Sequence, residues 1–176
     1  MTFFKEKLKN IKAFIFDVDG VLSMDTSPLD ENGDPMRTSN VKDGLAIRYA
    51  MQNGFQIGII TGANTQRVKL RYTKLGIEHI YLNSFEKVES LDDFVAKTGI
   101  AKNEILYMGD DLIDHPIMLQ IGIPTCPIDA VPEIKAISQY ISDKKGGKGC
   151  VRDVIEQVMR SQGKWFGQEI KGIKAD

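Results

Sequence analysis

Two apolar runs in this chain end abruptly on carboxylates that stand beside a glycine. Residues 11–16 lead into Asp17 and Asp19, and residues 105–108 lead into Asp110. Apolar runs of this length, bounded by turn residues, are typical of buried β-strands. The carboxyl ends of parallel strands meet at one edge of an open sheet, so these acids should lie close together. Several carboxylates in one dry place repel one another unless a cation holds them, which predicts a Mg²⁺ site at that edge.

The rest of the chain alternates between patterns typical of strands and of helices. Strands are predicted over residues 11–16, 55–60, 79–82, 105–108 and 121–123, and helices over residues 43–53, 65–75 and 86–98. This alternation favours an α/β fold in which a doubly wound, Rossmann-like parallel sheet is flanked by helices. The length suits one domain over residues 1–176.

Two segments interrupt the alternation. Residues 21–40 follow the first strand and contain a strong turn signal at residues 30–35. A β-hairpin that projects from the sheet is the favoured interpretation, and an irregular surface loop is the alternative. The tail at residues 161–176 is polar but includes Trp165 and Phe166, so it is either disordered or docked on another surface.

The composition excludes several classes of function. The 23 basic and 24 acidic side chains give a net charge of -1, which is unlike that of a nucleic-acid-binding or membrane-anchored domain. No stretch approaches the ~20 apolar residues of a membrane span, and the first residues lack a signal-peptide core. The spacing of Cys126 and Cys150 matches no disulfide framework or metal motif, so both are expected to be reduced thiols in a cytoplasmic protein.

The residues that end the predicted strands could carry out phosphoryl transfer. Asp17 could attack as a nucleophile while Asp19 transfers a proton. Thr61 could offer a hydroxyl and a backbone N–H to an anion, with Gly62 permitting close approach. Lys87, at the start of a helix, could bring a cation to both the anion and the acids. Phosphoryl transfer depends mostly on such positioning and charge neutralisation.

Four motifs in order resemble those of the haloacid dehalogenase superfamily of phosphatases. They are residues 17–21, residues 60–62, Lys87 and residues 109–114. The resemblance covers most of the chain. The intervals between the last three motifs are too short to hold a lid domain, which places the chain in the capless branch.

The resemblance implies a role for each motif residue. Asp17 would become an aspartyl phosphate, and Asp19 would be the general acid and base. Mg²⁺ would be held by Asp17, the backbone carbonyl of Asp19 and Asp110. The phosphoryl group would be held by Thr61, Gly62 and Lys87. Asp111 and Asp114 would lie behind the metal ligands as supporting acids.

A closer resemblance leads to phosphatases that act on 3-deoxy-D-manno-octulosonate 8-phosphate. It is carried by residues 41–47, 71–77, 110–114 and 146–152. It implies a cytoplasmic homotetramer in lipopolysaccharide precursor synthesis, with a related nine-carbon sugar acid phosphate as the alternative substrate. Arg71 and Asp43 would then bind the sugar acid, and an arginine suits the carboxylate because it can donate two hydrogen bonds at once. A neighbouring subunit would cover a site that has no lid.

Two other classes of protein compete with this interpretation. A phospho-aspartate signalling receiver also combines aspartates, a threonine, a lysine and Mg²⁺ on a doubly wound sheet. A receiver carries its phosphorylated aspartate alone on a middle strand, whereas the middle strand here ends on Thr61 and the late strand on Asp110 and Asp111. A catalytically inactive interaction subunit is the second alternative, and the complete set of acids argues against it.

Overall fold

Successive side chains along the strands point to opposite faces of the sheet, and a layer of helices covers each face. The computed structural model describes residues 2–166. Its strands are β1 Ala13–Phe16, β2 Gln56–Ile60, β3 His79–Tyr81, β4 Ile105–Met108, β5 Ile123–Cys126 and β6 Tyr140–Ile141. Its helices are α1 Thr2–Leu8, α2 Val41–Gln52, α3 Gln66–Lys74, α4 Lys87–Thr98, α5 His115–Met118, α6 Pro132–Ile137 and α7 Cys150–Ser161, with short 3₁₀ turns at Lys102–Glu104 and Leu112–Asp114.

All six strands are parallel and lie in the order β3-β2-β1-β4-β5-β6. The chain therefore adds β2 and β3 on one side of β1. It then returns and adds β4, β5 and β6 on the other side. Ligands bind open α/β sheets at the carboxyl ends of the strands where this order reverses. That switch point lies between β1 and β4, whose following residues are the predicted acids. The predicted doubly wound fold is confirmed.

The alternation along β1 divides the core into two clusters. Phe14 and Phe16 belong to the cluster that packs against α2 and α7, whereas Ala13 and Ile15 belong to the cluster against α4. All four side chains are fully buried. Because both faces of the sheet are covered by helices, the central strands consist of uninterrupted apolar residues rather than of alternating apolar and polar ones.

The last third of the sheet differs from the sequence prediction. The fifth strand was predicted over residues 121–123, but β5 runs from Ile123 to Cys126, and β6 was not predicted. Pro124 argues against a strand because it has no N–H to donate to the ladder. Its carbonyl oxygen nevertheless accepts a hydrogen bond from the backbone N–H of Gln139 at 2.8 Å. Tertiary pairing thus outweighs the local signal.

The hairpin predicted over residues 21–40 is present only in a reduced form. The chain reverses at the predicted turn, where Leu29 and Pro35 form a single antiparallel bridge, and no regular strand flanks it. The two arms are linked through side chains: the N–H of Thr38 donates to Ser23 Oγ at 2.9 Å. Prolines at 28 and 35 cannot donate to a ladder, so a longer run of paired strands cannot form there.

The part of the tail that the structure describes docks on the protein's own helices. Trp165 lies edge-on to Tyr49 of α2, with ring centroids 5.7 Å apart, and the Arg152 guanidinium lies 5.4 Å from the Trp165 ring centre. Phe166 stacks on Tyr49 at 4.2 Å. Of the two predicted alternatives, docking is therefore confirmed for these two aromatic residues. The rest of the predicted tail, residues 167–176, lies outside the described residues.

Two further predictions from the composition can be compared with the structure. None of the helices between residues 2 and 166 has the length and hydropathy that a bilayer span requires. Cys126 and Cys150 are both buried and both free. The prediction that they are thiols rather than a disulfide is confirmed.

Candidate active site

The predicted acids, Thr61 and Lys87 meet in one cavity at the carboxyl ends of β1, β2 and β4. The cavity has a volume of about 390 Å³. Its wall includes Asp17, Asp19, Gly20, Arg37, Thr61, Gly62, Lys87, Asp110 and Asp111. These residues lie far apart in the sequence, and the order of the strands is what brings them together.

Gly20 allows Asp110 to approach the loop after β1. A Cβ atom at Gly20 would lie 1.9 Å from Asp110 Oδ2, and the residue has a φ of +77°, which favours glycine. The segment before α7 closes against the same loop, because a Cβ at Gly146 would lie 2.0 Å from the Gly20 carbonyl oxygen. The acids of β1 and β4 can therefore come together only because both positions lack side chains.

Asp114 organises the floor of the cavity. Its side chain is completely buried, and its Oδ1 accepts hydrogen bonds from Lys87 Nζ and from the Tyr107 hydroxyl, both at 2.6 Å. Its Oδ2 accepts from the backbone N–H groups of Asp110 at 2.9 Å and Asp111 at 3.3 Å. Asp114 thus holds both the lysine and the loop that carries Asp110.

Lys87 balances only part of the negative charge. Its Nζ lies 3.1 Å from Asp17 Oδ1, but this carboxylate oxygen is buried and has no well-formed hydrogen bond within residues 2–166. Burial opposes the charge on Lys87, yet the neighbouring Asp17 and Asp114 raise its pKa above the ordinary value. Three carboxylates therefore face one ammonium group.

The surplus of negative charge is visible in the pKa values. Burial raises the pKa of Asp17 to about 7, and the Asp114 carboxylate adds to the effect although Lys87 opposes it. Burial raises the pKa of Asp110 to about 8, with Asp17, Asp114 and Asp111 acting in the same direction. These carboxylates need a further cation to remain ionised at neutral pH.

The side chains fit a divalent cation with oxygen ligands. Carboxylate oxygens of Asp17, Asp110 and Asp114 lie within 4.8 Å of one another. Both oxygens of Asp114 are already engaged by Lys87, Tyr107 and backbone N–H groups, so Asp17 and Asp110 are the better candidates for ligands. A site with few carboxylates and no sulfur or nitrogen ligand suits Mg²⁺.

Thr61 differs in one detail from the prediction. Its backbone N–H donates to the carbonyl oxygen of Tyr81 at 3.0 Å, because β2 pairs with β3 there, and so it cannot serve an anion. Its Oγ accepts from the N–H of Ala63 at 3.1 Å, which leaves the hydroxyl proton to donate into the cavity. The N–H of Gly62 makes no hydrogen bond within the described chain and can take the place of that of Thr61.

Asp19 faces an arginine that belongs to none of the sequence motifs. Arg37, on the returning arm of the 21–40 loop, donates from Nε to Asp19 Oδ1 at 2.7 Å and from Nη2 to Oδ2 at 2.8 Å. An arginine in a loop of unknown path gives no sequence signal beyond its charge. Tyr107 was missed for a related reason, since it lies inside an apolar strand and only its buried hydroxyl reveals a polar role.

The remaining predicted site residues differ in their position relative to the cavity that holds the acids. Asp111 is exposed, and its Oδ1 accepts from the N–H of Leu112 at 2.7 Å as the cap of a 3₁₀ turn. Arg71 lines a second cavity of about 530 Å³ between α3 and the 21–40 loop. The structure does not bring Asp43 to either cavity, because its buried Oδ1 accepts from the backbone N–H of Arg152 at 2.8 Å and closes the first turn of α7.

The fold and the site define a class of phosphate-ester hydrolase. A family model described as haloacid dehalogenase-like hydrolase matches residues 77–155. Relatives at more than 30% identity extend the match to most of the chain. The chain belongs to the haloacid dehalogenase-like hydrolase family and is a phosphoric monoester hydrolase.

Within that family, the chain is similar to 3-deoxy-D-manno-octulosonate 8-phosphate phosphatases. The KdsC protein of Escherichia coli (strain K12) is 37% identical over 158 residues, which cover 90% of this chain and 84% of the relative. The KdsC protein of Yersinia pestis is 33% identical over 162 residues, covering 92% and 87%.

Solved structures of such phosphatases share the whole fold. The enzyme from Yersinia pestis superposes with a TM-score of 0.87 at 32% identity, covering 91% of this chain and 86% of that chain. The enzyme from Moraxella catarrhalis, solved with a magnesium ion, a phosphate ion and KDO, superposes with a TM-score of 0.89 at 33% identity, covering 94% and 95%.

Proposed function

We propose that this protein hydrolyses 3-deoxy-D-manno-octulosonate 8-phosphate to the free sugar acid and phosphate, with Mg²⁺ as cofactor. The main support is the juxtaposition of Asp17, Lys87 and Asp110 at the switch point of the sheet, in a chain similar to phosphatases of that substrate. A phosphate ester of a related nine-carbon sugar acid is the second candidate substrate. The larger cavity, between α3 and the 21–40 loop, could accept a sugar that is one carbon longer.

In the first step, a carboxylate oxygen of Asp17 attacks the phosphorus atom. The bond from phosphorus to the sugar oxygen breaks, and Asp19 gives its proton to that oxygen. The phosphoryl oxygens receive hydrogen bonds from the Thr61 hydroxyl, the Gly62 N–H and Lys87. These donors are fixed before the substrate arrives, because Lys87 is held by Asp114 and Thr61 by β2.

In the second step, a water molecule attacks the phosphorus atom of the aspartyl phosphate. Asp19, now ionised, takes the proton from that water, and the bond from phosphorus to Asp17 breaks. When bound, Mg²⁺ would be held by Asp17, the carbonyl of Asp19 and Asp110, and would supply charge neutralisation for the phosphoryl group. The enzyme then returns to its starting state.

The larger cavity offers a place for the sugar. It lies between α3 and the 21–40 loop, and its volume of about 530 Å³ is within the range of small-molecule sites. Arg71 on α3 makes no ion pair within residues 2–166, so its guanidinium is available to a carboxylate. We assign Arg71 to the carboxylate of the sugar acid.

A screen of sugar phosphates tests this function. Purified protein with saturating Mg²⁺ is incubated with 3-deoxy-D-manno-octulosonate 8-phosphate, nine-carbon sugar acid phosphates and neutral hexose phosphates, and phosphate release is measured. The 8-phosphate should give the highest kcat/KM, and excess chelator should abolish release. A preference for a neutral hexose phosphate would refute the substrate assignment while leaving the reaction class intact.

Replacing Arg71 with alanine should affect a sugar acid phosphate far more than a small aryl phosphate. Loss of a hydrogen-bonded charge from the carboxylate should raise KM for the sugar acid phosphate by on the order of tenfold or more, while p-nitrophenyl phosphate has no carboxylate to lose. Steady-state kinetics with both substrates measure the difference. Lys69→Ala, which removes an exposed cation from the same helix, is the control, and an equal loss of both activities in Arg71→Ala would contradict the assignment.

Mg²⁺ should bind more tightly as the pH rises. With pKa values near 7 for Asp17 and 8 for Asp110, both carboxylates of the metal-free protein must lose protons to bind the ion. Each displaced proton changes the affinity by about tenfold per pH unit below its pKa, so Kd should fall by on the order of a hundredfold or more between about pH 6 and pH 8.5. Titration calorimetry measures this, and an affinity independent of pH would contradict it.

The same carboxylates give a stability effect of defined sign. Because their pKa values are raised in the folded state, the metal-free protein gains stability as these groups take up protons and loses it as the pH rises toward about 8. The increase in Tm on adding Mg²⁺ should therefore be larger at about pH 8.5 than at about pH 6.

We further propose that the protein is a cytoplasmic homotetramer that serves lipopolysaccharide precursor synthesis. The two buried free thiols support a reducing compartment. Phe85, which is 62% exposed, lies next to Gly62 of the active site, over which residues 2–166 form no lid, and a second copy could cover it. Sedimentation analysis tests the assembly, and a fully active monomer would refute it.

A further inference from the structure

The 21–40 loop places a guanidinium on the proposed general acid. Arg37 contacts both carboxylate oxygens of Asp19, with Nε 2.7 Å from Oδ1 and Nη2 2.8 Å from Oδ2. This two-point geometry is the strongest arrangement that an arginine and a carboxylate can form. It occupies one lone pair on each oxygen and fixes the carboxylate plane toward the loop, whereas protonation of the sugar oxygen needs the carboxyl group to turn toward the ester.

The Asp19 side chain also lies apart from the other acids. The carboxylates whose oxygens converge within 4.8 Å are those of Asp17, Asp110 and Asp114, all largely buried, whereas the Asp19 side chain is 46% exposed. The Arg37 side chain, by contrast, is only 14% exposed. Arg37 therefore holds Asp19 toward the loop, apart from the three converging acids.

Arg37 is the one residue, among those described, that lines both cavities. It lines the smaller cavity together with the acids and the larger one together with Arg71. The backbone beside it is fixed, because the N–H of Thr38 donates to Ser23 Oγ and the N–H of Met24 donates to Thr38 Oγ1 at 3.1 Å. A change of partner therefore needs only a rotation of the Arg37 side chain.

We propose that Arg37 is a specificity-determining positioning residue that restrains Asp19 until an anionic sugar tail binds. The inference rests on the proposed function, since the tail is the sugar acid. Its carboxylate enters the larger cavity between Arg71 and Arg37 and competes with Asp19 for the Arg37 guanidinium. Asp19 is then free to turn toward the scissile ester. A phosphate ester without such an anion leaves Asp19 restrained.

This arrangement couples substrate recognition to the chemical step. Exchanging one carboxylate for another on the same guanidinium replaces one two-point contact by another of the same kind, so the exchange costs little. Ordinary substrate binding would discriminate only through KM, whereas release of Asp19 by the tail makes kcat depend on the tail as well. The enzyme would thereby remain slow toward the many phosphate esters that fit an open site.

Replacing Arg37 with methionine should change the two substrate types in opposite directions. With saturating Mg²⁺, kcat for p-nitrophenyl phosphate should rise by about two- to fivefold, because Asp19 is released. The kcat/KM for the sugar acid phosphate should fall by on the order of tenfold, because the carboxylate loses a charged donor. Arg37→Lys keeps the charge without the two-point contact and should give a smaller change in both directions.

Arg67→Met is the matched control. Arg67 joins the loop to α3 through an ion pair with Asp30 at 2.7 Å, and its removal loosens the loop without touching Asp19. A rise in p-nitrophenyl phosphate turnover in Arg67→Met equal to that in Arg37→Met would overturn the proposal in favour of loop mobility. Thermal melting confirms that each variant is folded.

Other outcomes are equally decisive. If Arg37→Met lowers both activities together, Arg37 holds Asp19 in its working position and the proposal is wrong. If neither activity changes, the ion pair has no role in turnover and the proposal is wrong. The p-nitrophenyl phosphate measurement does not depend on the identity of the natural substrate, so failure of the proposed function appears separately, as wild-type inactivity toward the sugar acid phosphate.

Discussion

Replacing Asp17 with asparagine should lower kcat by at least about a thousandfold with every phosphate ester. An amide oxygen is a far poorer nucleophile than a carboxylate, and no other acid lies where it could attack in its place: Asp114 is engaged on both oxygens, and Asp110 belongs to the proposed metal site. The fold should persist because asparagine is nearly isosteric. The burial that raises the pKa of Asp17 to about 7 means that the change removes a costly charge, so Tm should not fall.

Phosphate release and thermal melting together test the Asp17 prediction. Asp25→Asn is a suitable control, since Asp25 is an exposed acid on the wall of the same cavity, and its activity should stay within about twofold of the parent. An Asp17→Asn enzyme that keeps more than a few per cent of wild-type activity would require a different nucleophile.

Replacing Asp19 with asparagine should lower kcat by about a hundred- to ten-thousandfold and should separate the two chemical steps. The phenolate that leaves p-nitrophenyl phosphate needs little protonation, so formation of the aspartyl phosphate should be largely spared. Its hydrolysis should be slow because no base activates the water. The sugar alkoxide is a poor leaving group, so the first step should be slow with a sugar phosphate.

The expected signature of Asp19→Asn is therefore a burst of p-nitrophenol, close to one per active site, followed by slow turnover. A sugar acid phosphate should give no burst. Stopped-flow absorbance and acid quenching of the phosphorylated protein measure the two phases. Dephosphorylation as fast as in the wild type would mean that another group acts as the base.

Much of this molecule follows from local sequence patterns. The apolar runs before Asp17 and Asp110 predict buried strands, and the strand order places their ends at the switch point. Length and periodicity fix such elements because a buried strand between two helical layers admits only apolar side chains. The motif residue Lys87 lies within ion-pair distance of the motif residues Asp17 and Asp114 in the fold.

Other features required distant parts of the chain to meet. The path of β5 depends on pairing with β4 and β6, which outweighs the proline at position 124. The burial of Asp43 depends on the first turn of α7, more than a hundred residues later in the chain. Local propensity carries no information about such contacts, because the free energy that decides them comes from packing and pairing between segments.

The sequence by itself determined the central strands of the sheet, the acids at their ends and the class of reaction, since each of these depends on residue type and spacing within one element or its end. Only the tertiary structure decided that the backbone N–H of Thr61 is used by β3, that the arms of the 21–40 loop form a single antiparallel bridge, and that Arg37 holds Asp19. The reason is physical: a hydrogen bond or an ion pair between side chains forms only when the fold brings both partners within about 3 Å, and that distance is a property of the whole chain.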